Sequence, residues 1–262
     1  MQSVGVTGSA TAMSKVPAVT VGFWIIKILA TTLGETGGDT LSMTYDLGYL
    51  ASSVVFVVPL VLLVMAQVRA LRFNRWLYWA TIIASTTAGT TMADFATRSL
   101  GIGYLGGSLL LGASVLASLA LWRAVMGTVS VEAVTSARAE AFYWVTITLS
   151  QTLGTALGDW AADDGGLGYL GGAALFGSLL LVLVGLWRFT PVSRVLLFWA
   201  AFILTRPLGA TVGDFLDKPL AKGGLDFSRP VASAVLVGAI VLLVALVSQR
   251  VGRHPGATAP SG

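Results

Sequence analysis

Apolar residues in this chain fall in long unbroken runs, not in the alternation of a half-buried strand or the narrow stripe of a surface helix. Eight runs come near the roughly 20 residues that carry a helix across a bilayer core. They cover 17–38, 48–68, 76–96, 103–122, 141–160, 167–187, 195–215 and 229–249. Two kinds alternate. The even-numbered runs have uncharged, apolar centres (Val54 to Val64, Leu109 to Leu121, Leu175 to Leu186, Val231 to Val247) and suit a lipid-facing or scaffold position. The odd-numbered runs carry every intramembrane polar side chain. Ionisable groups are costly against lipid, so helices 1, 3, 5 and 7 are predicted to form an inner ring. The predicted fold is an all-α integral membrane protein with eight transmembrane helices.

A repeat underlies this alternation. An aromatic–Trp pair occurs four times: Phe23-Trp24, Tyr78-Trp79, Tyr143-Trp144 and Phe198-Trp199. Counting from each Trp, a glycine stands at +10 (Gly34, Gly89, Gly154, Gly209) and an aspartate at +15 (Asp39, Asp94, Asp159, Asp214). A second glycine stands at +24 (Gly48, Gly103, Gly168, Gly223), followed by Tyr in the first three copies. The Trp residues are 55, 65 and 55 positions apart, which pairs unit one with two and unit three with four. The domains follow: a cytoplasmic tail over 1–15, a first repeat pair over 16–123, a cytoplasmic linker over 124–140, a second pair over 141–250 and a disordered tail over 251–262. Two spans per unit make every copy enter the membrane in the same direction. The four copies are then parallel repeats about an axis along the membrane normal.

The segments Phe23 to Tyr49, Tyr78 to Tyr104, Tyr143 to Tyr169 and Phe198 to Gly223 resemble the bacterial multi-spanning membrane proteins built of four tandem two-helix repeats of unknown function. The fourth copy departs most, with Arg206-Pro207 in place of Thr-Thr or Gln-Thr and no Tyr after Gly223. The resemblance implies the architecture and brings no activity with it.

Composition agrees with a membrane setting: 55% of the 262 residues are hydrophobic and 11% charged, against about 25% charged in a soluble domain. Ten of the sixteen Lys and Arg lie at the termini or in the even-numbered loops: Lys15, Arg69, Arg72, Arg75, Arg123, Arg138, Arg188, Arg194, Arg250 and Arg253. Four (Arg98, Lys218, Lys222, Arg229) lie on the other side. This asymmetry places both termini in the cytoplasm, in a bacterial inner membrane. The scattered charges make no nucleic-acid surface, and the first 15 residues lack a signal-peptide pattern. Without cysteine, thiolate metal sites and thiol catalysis are excluded. The single His254 reads as a solvated tail residue, and nothing calls for a cofactor.

Candidate chemistry lies on the odd helices. In helix 1, Lys27, Thr31, Glu35 and Asp39 recur every fourth position, one above the other on a slowly winding face. The other copies of the last three places are Thr86, Thr90, Asp94; Gln151, Thr155, Asp159; and Arg206, Ala210, Asp214. A polar seam thus leads outward to four carboxylates, about 22 Å from the Trp level at 1.5 Å per residue. Trp24, Trp79, Trp144 and Trp199 read as interface anchors. The four Asp could instead cap a turn, helped by the Gly that precedes three of them. Asp46, Asp163, Asp164, Asp217 and Asp226 read as solvated loop residues. Glu35, Lys27 and Arg206 are each unique among the copies; their structural alternative to function is a buried Glu35–Arg206 ion pair fixing helix 1 to helix 7. Pro207 predicts a kink in helix 7.

The expected activity is secondary transport of a cation, with Glu35 and the four Asp as binding or proton-exchanging groups. Thr31, Thr86, Thr90, Gln151 and Thr155 complete the seam, and Lys27 and Arg206 balance charge. Oxygen-only ligands favour a hard ion such as Mg²⁺, Ca²⁺ or Mn²⁺, with Glu35 and Asp39 the best metal-binding candidates. A cation channel, a carrier of an anion or zwitterion held by Arg206 and Lys27, and a non-transporting assembly or sensor protein are the alternatives. An enzyme is not expected: the Gly-x-Gly-Asp pattern of intramembrane aspartyl proteases is absent at all four Asp, and no His-Glu-x-x-His site occurs.

Overall fold

A computed structural model describes residues 15–250. The tail boundaries, His254 and Arg253 lie outside the described residues. Eight long helices account for most of the described chain: α1 (Val21–Asp39), α2 (Tyr49–Arg69), α3 (Arg75–Asp94), α4 (Gly103–Met126), α5 (Ala137–Asp159), α6 (Gly168–Phe189), α7 (Arg194–Asp217) and α8 (Arg229–Leu246). Each odd helix starts on a polar cap. Thr20, Asn74, Ser136 and Ser193 accept backbone N–H bonds from the first turns of α1, α3, α5 and α7, satisfying donors that a helix start otherwise leaves open. The repeated +24 glycines also have a cause. Gly48, Gly103, Gly168 and Gly223 all have positive φ, between 64° and 81°, where a side chain would be strained. They turn the chain at the end of each odd helix.

Side-chain burial separates the two kinds of helix. The even helices bury few residues: α2 only Ser52, Ser53, Leu60 and Gln67, and α8 only Ile240 and Val244. Their outward surfaces are apolar, as at Val54, Leu109, Leu181 and Val235. Exposed apolar surface on this scale is that of a multi-pass membrane protein. Five helices (α2, α4, α6, α7 and α8) are long and apolar enough to cross a bilayer. α1, α3 and α5 fall below that standard because they carry the polar seam.

The odd helices touch one another in the cyclic order α1, α3, α5, α7, α1. Their like ends meet, so they run in the same direction. Each even helix packs chiefly not on the odd helix of its own unit but on that of the next: α2 on α3, α4 on α5, α6 on α7, and α8 back on α1. Ser118 and Thr146 hydrogen-bond across α4 and α5 at 2.7 Å, and Ser233 and Thr36 across α8 and α1 at 2.9 Å.

Close crossing of the odd helices depends on small residues four apart. A Cβ on Gly34, Gly89, Gly154 or Gly209 would come within 3.0 Å of Thr86, Gln151, Arg206 or Thr31 on the next helix of the ring. One turn on, Gly38, Gly158 and Gly213 stand against Thr90, Ala210 and Glu35 in the same way. These are helix contacts of the small-xxx-small kind. The glycine before three of the Asp residues therefore serves helix approach, not a turn.

The Trp residues correct a second expectation. Trp79, Trp144 and Trp199 are buried, and Trp24 is half-buried. They close the amino-terminal end of the ring with Phe23, Tyr78, Tyr143 and Phe198 in edge-on and tilted ring contacts. The ring brings all four aromatic pairs together, so they cover one another rather than projecting outward from single helices. The indole N–H of Trp199 donates to the carbonyl of Val129, and that of Trp79 to the side chain of Gln249. The 124–140 linker thus folds onto this end. Lys15 closes it further, at 2.6 Å from Glu140.

The hydroxyls of Tyr78 and Tyr143 meet at 2.6 Å inside this layer. Tyr143→Phe should cost about 1–3 kcal/mol by orphaning one buried hydroxyl, while the double variant with Tyr78→Phe should cost less than either single change. Thermal unfolding of the three variants in detergent tests this. A double variant that is the weakest of the three would contradict it.

Candidate functional site

Successive seam positions stack as layers inside the ring. At +3 stand Lys27, Ile82, Ile147 and Phe202, all fully buried. At +7 stand Thr31, Thr86, Gln151 and Arg206, and at +11 Glu35, Thr90, Thr155 and Ala210. The four Asp make the +15 layer, all at 2% exposure or less. Unit four has Ala210 where the others have Glu or Thr. Its Arg206 instead sends a guanidinium into the +11 layer.

That guanidinium fills the axis. Its Nη2 donates to Glu35 Oε2 at 2.9 Å and to the hydroxyls of Thr90 and Thr155, each at 2.6 Å; its Nη1 donates to the carbonyl of Thr31 at 3.4 Å. One side chain of α7 thereby joins α1, α3 and α5. The Glu35–Arg206 pair read from the sequence is present. α7 runs unbroken through Pro207, so the expected kink does not interrupt the helix. Thr31 is satisfied within the wall of the ring by the carbonyls of Ile28 and Thr205.

The four aspartates do not converge on one point. They form two cation-bridged pairs. Arg98 lies 2.9 Å from Asp94 and 3.2 Å from Asp159, and Lys218 lies 2.7 Å from Asp39 and 2.9 Å from Asp214. The turn-cap alternative fails for Asp39, Asp94 and Asp159, because their side chains make no cap bond to the π-helical turns that follow (Thr40–Thr44, Phe95–Ser99, Trp160–Asp164). The pairs are close but not saturated. The contact to Asp94 is off the hydrogen-bond direction and leaves both of its oxygens without a hydrogen bond, and Asp39 Oδ1 has no partner either. Oxygen atoms of Glu35, Asp39 and Asp214 lie within 4.8 Å of one another, so these three could share a cation. Beyond the acids opens a vestibule of about 590 Å³, whose lining includes Met43, Arg98, Asp163, Lys218, Lys222 and Arg229.

A family model matches the chain four times, over residues 22–73, 77–128, 142–192 and 197–250. The chain belongs to the family described as Repeat of Unknown Function (DUF347). No curated protein and no solved structure matches it. The DUF347 repeats thus coincide with the units marked by the four Trp.

Sequence reasoning missed the basic partners. Arg98 and Lys218 both stand at +19 of their repeats, four residues past an Asp, where units one and three have Met43 and Asp163. All four +19 residues line the vestibule. The signal was an i,i+4 acid–base pair confined to the second repeat of each pair. Counting these residues as loop charges hid it. Asp217 is likewise not a solvated loop residue: it is buried at the end of α7, 3.3 Å from Arg229.

Proposed function

We propose that this protein is a membrane transporter that carries a hard cation through the acidic layer, with all eight helices spanning a bacterial inner membrane and both termini on the cytoplasmic side. The observation that carries this reading is Lys218. Its ammonium rests between Asp39 and Asp214, whose oxygens lie within 4.8 Å of one from Glu35, where a transported cation would find carboxylate oxygens. An incoming ion would displace this tethered charge toward the vestibule, and its return would help expel the ion. Neutral oxygens of Thr90 and Thr155 lie one turn deeper on the same axis.

A plain channel fits less well, because Arg206 and the aromatic layer close the axis in series. The cationic lining of the vestibule (Arg98, Lys218, Lys222, Arg229) favours one second reading, a zwitterionic solute whose amine takes the place of the Lys218 ammonium. An assembly or sensor protein would show no flux.

Purified protein in liposomes should move Mg²⁺, Ca²⁺ or Mn²⁺, and Glu35→Gln should slow that flux at least about tenfold, a barrier of 1.4 kcal/mol or more. Asp39→Asn should do the same. Flux indifferent to both changes removes the proposed site; flux of zwitterions alone selects the second reading.

A further inference from the structure

The three layers inside the Asp layer hold two basic side chains and one acid. Lys27 and Arg206 are both fully buried, and Glu35 is the only acid in the +3 to +11 layers. Arg206 uses that acid. Among the described residues, no carboxylate lies within ion-pair distance of Lys27. Its ammonium reaches only Gln151 Oε1, at a long 3.4 Å, and the face of the Phe202 ring, 4.1 Å from the centroid. The other three repeats fill the same position with Ile82, Ile147 and Phe202, so packing alone does not ask for a lysine here.

Unused donors lie beside it. Gln151 turns its oxygen to Lys27, and its Nε2 has no hydrogen-bond partner. Arg206 Nε, on the stem that rises through the same +7 layer, also has none. Buried donors are normally satisfied, and each one left open costs about 1–3 kcal/mol. Three donor groups on neighbouring helices, one of them a lysine without an acid partner, lack the same thing: an acceptor, and one negative charge on it would hold Lys27 in its ammonium form.

We propose that a small monovalent anion binds on the axis between Lys27 and Arg206, held by Lys27 Nζ, Gln151 Nε2 and Arg206 Nε. The helices cross closely here: Gly89 and Gly154 stand against Gln151 and Arg206. So close a crossing favours a monatomic ion of the chloride class over a solute with a carbon skeleton. The site is separate from the acidic layer and opposite to it in sign. It would neutralise the inner half of the axis while Glu35 stays on Arg206 and hold it to a single positive charge when Glu35 is drawn toward an arriving cation. It rests on the donor set alone and stands whether or not the cation reading does.

The test uses the full chain in detergent, with unfolding followed by Trp fluorescence in sodium chloride, bromide or gluconate at equal ionic strength. Halide should raise the midpoint saturably, by about 3–5 °C at tenfold over half-saturation. Lys27→Ile, which copies two of the other repeats, should abolish the halide shift and unfold in gluconate no earlier than the unaltered protein. Gln151→Glu supplies a tethered negative charge in place of the ion. It should raise the gluconate midpoint and remove the halide response, which decides the matter even if Lys27→Ile folds poorly. Stabilisation by divalent cations should persist in both variants, so loss of that response alone would count against the transport reading and not against this one. Equal midpoints in chloride and gluconate for the unaltered protein, or a halide shift that survives Gln151→Glu, would overturn the proposal.

Discussion

Arg206→Leu should destabilise the protein by about 3–5 kcal/mol, the range for removing one partner of a buried ion pair. The size follows from what is left behind. Glu35, 2% exposed, would be left without its partner, and the hydroxyls of Thr90 and Thr155 would lose their shared donor. Removing both charges is a different matter. Glu35→Gln combined with Arg206→Leu should restore most of the loss, since an apolar or neutral replacement of a buried pair is often close to neutral. Reversible unfolding in mixed detergent micelles measures all three variants and the coupling between them. If Arg206→Leu behaves like a surface substitution, the guanidinium does not hold the four odd helices together.

Gly209→Ala should cost about 1–3 kcal/mol, the usual penalty for overpacking. The added methyl group would fall on the backbone of Thr31 as well as its side chain, at 2.7 Å from the carbonyl carbon, and backbone cannot rotate away. Gly89→Ala should act in the same direction, against the backbone of Gln151 and Thr152 at 3.0 Å. Gly185 and Gly238 lie in α6 and α8 with nothing within 4 Å of an added Cβ. There alanine should be neutral or add up to about 1 kcal/mol through helix propensity. Thermal midpoints of the four variants make the comparison. Equal responses at ring and outer glycines would mean that the odd helices do not cross at these points.

Much of this was open to reading from residue spacing. Polar side chains on odd helices and apolar centres on even ones were enough to place the odd helices inside, because a charge facing lipid is costlier than one facing other helices. The Glu35–Arg206 pair followed from two lone opposite charges near one depth. Three features resisted. Arg98 and Lys218 lie past the helical runs, so a hydropathy reading assigns them to loops, yet the turns after the Asp residues bring them back over the acids. Gly38, Gly158 and Gly213 beside an Asp look like turn formers until the neighbouring helix is in view. The Trp residues suit a headgroup layer in any single helix, and only the ring supplies them with one another as partners. Periodicity reports which side chains share a face, not which helix that face will meet.

The stepwise packing of α2 on α3, α4 on α5, α6 on α7 and α8 on α1 has a bearing on how such a chain could arise and be divided. Cut at the linker, each half would keep one such seam intact and leave two partners unmatched, an odd helix lacking its cover and an even helix lacking its seat. Two halves repair each other's deficits head to tail, whether they are two copies or two different pieces. A two-repeat precursor is thus complete only as a dimer, and the two separately made halves of the present protein should find each other in one membrane.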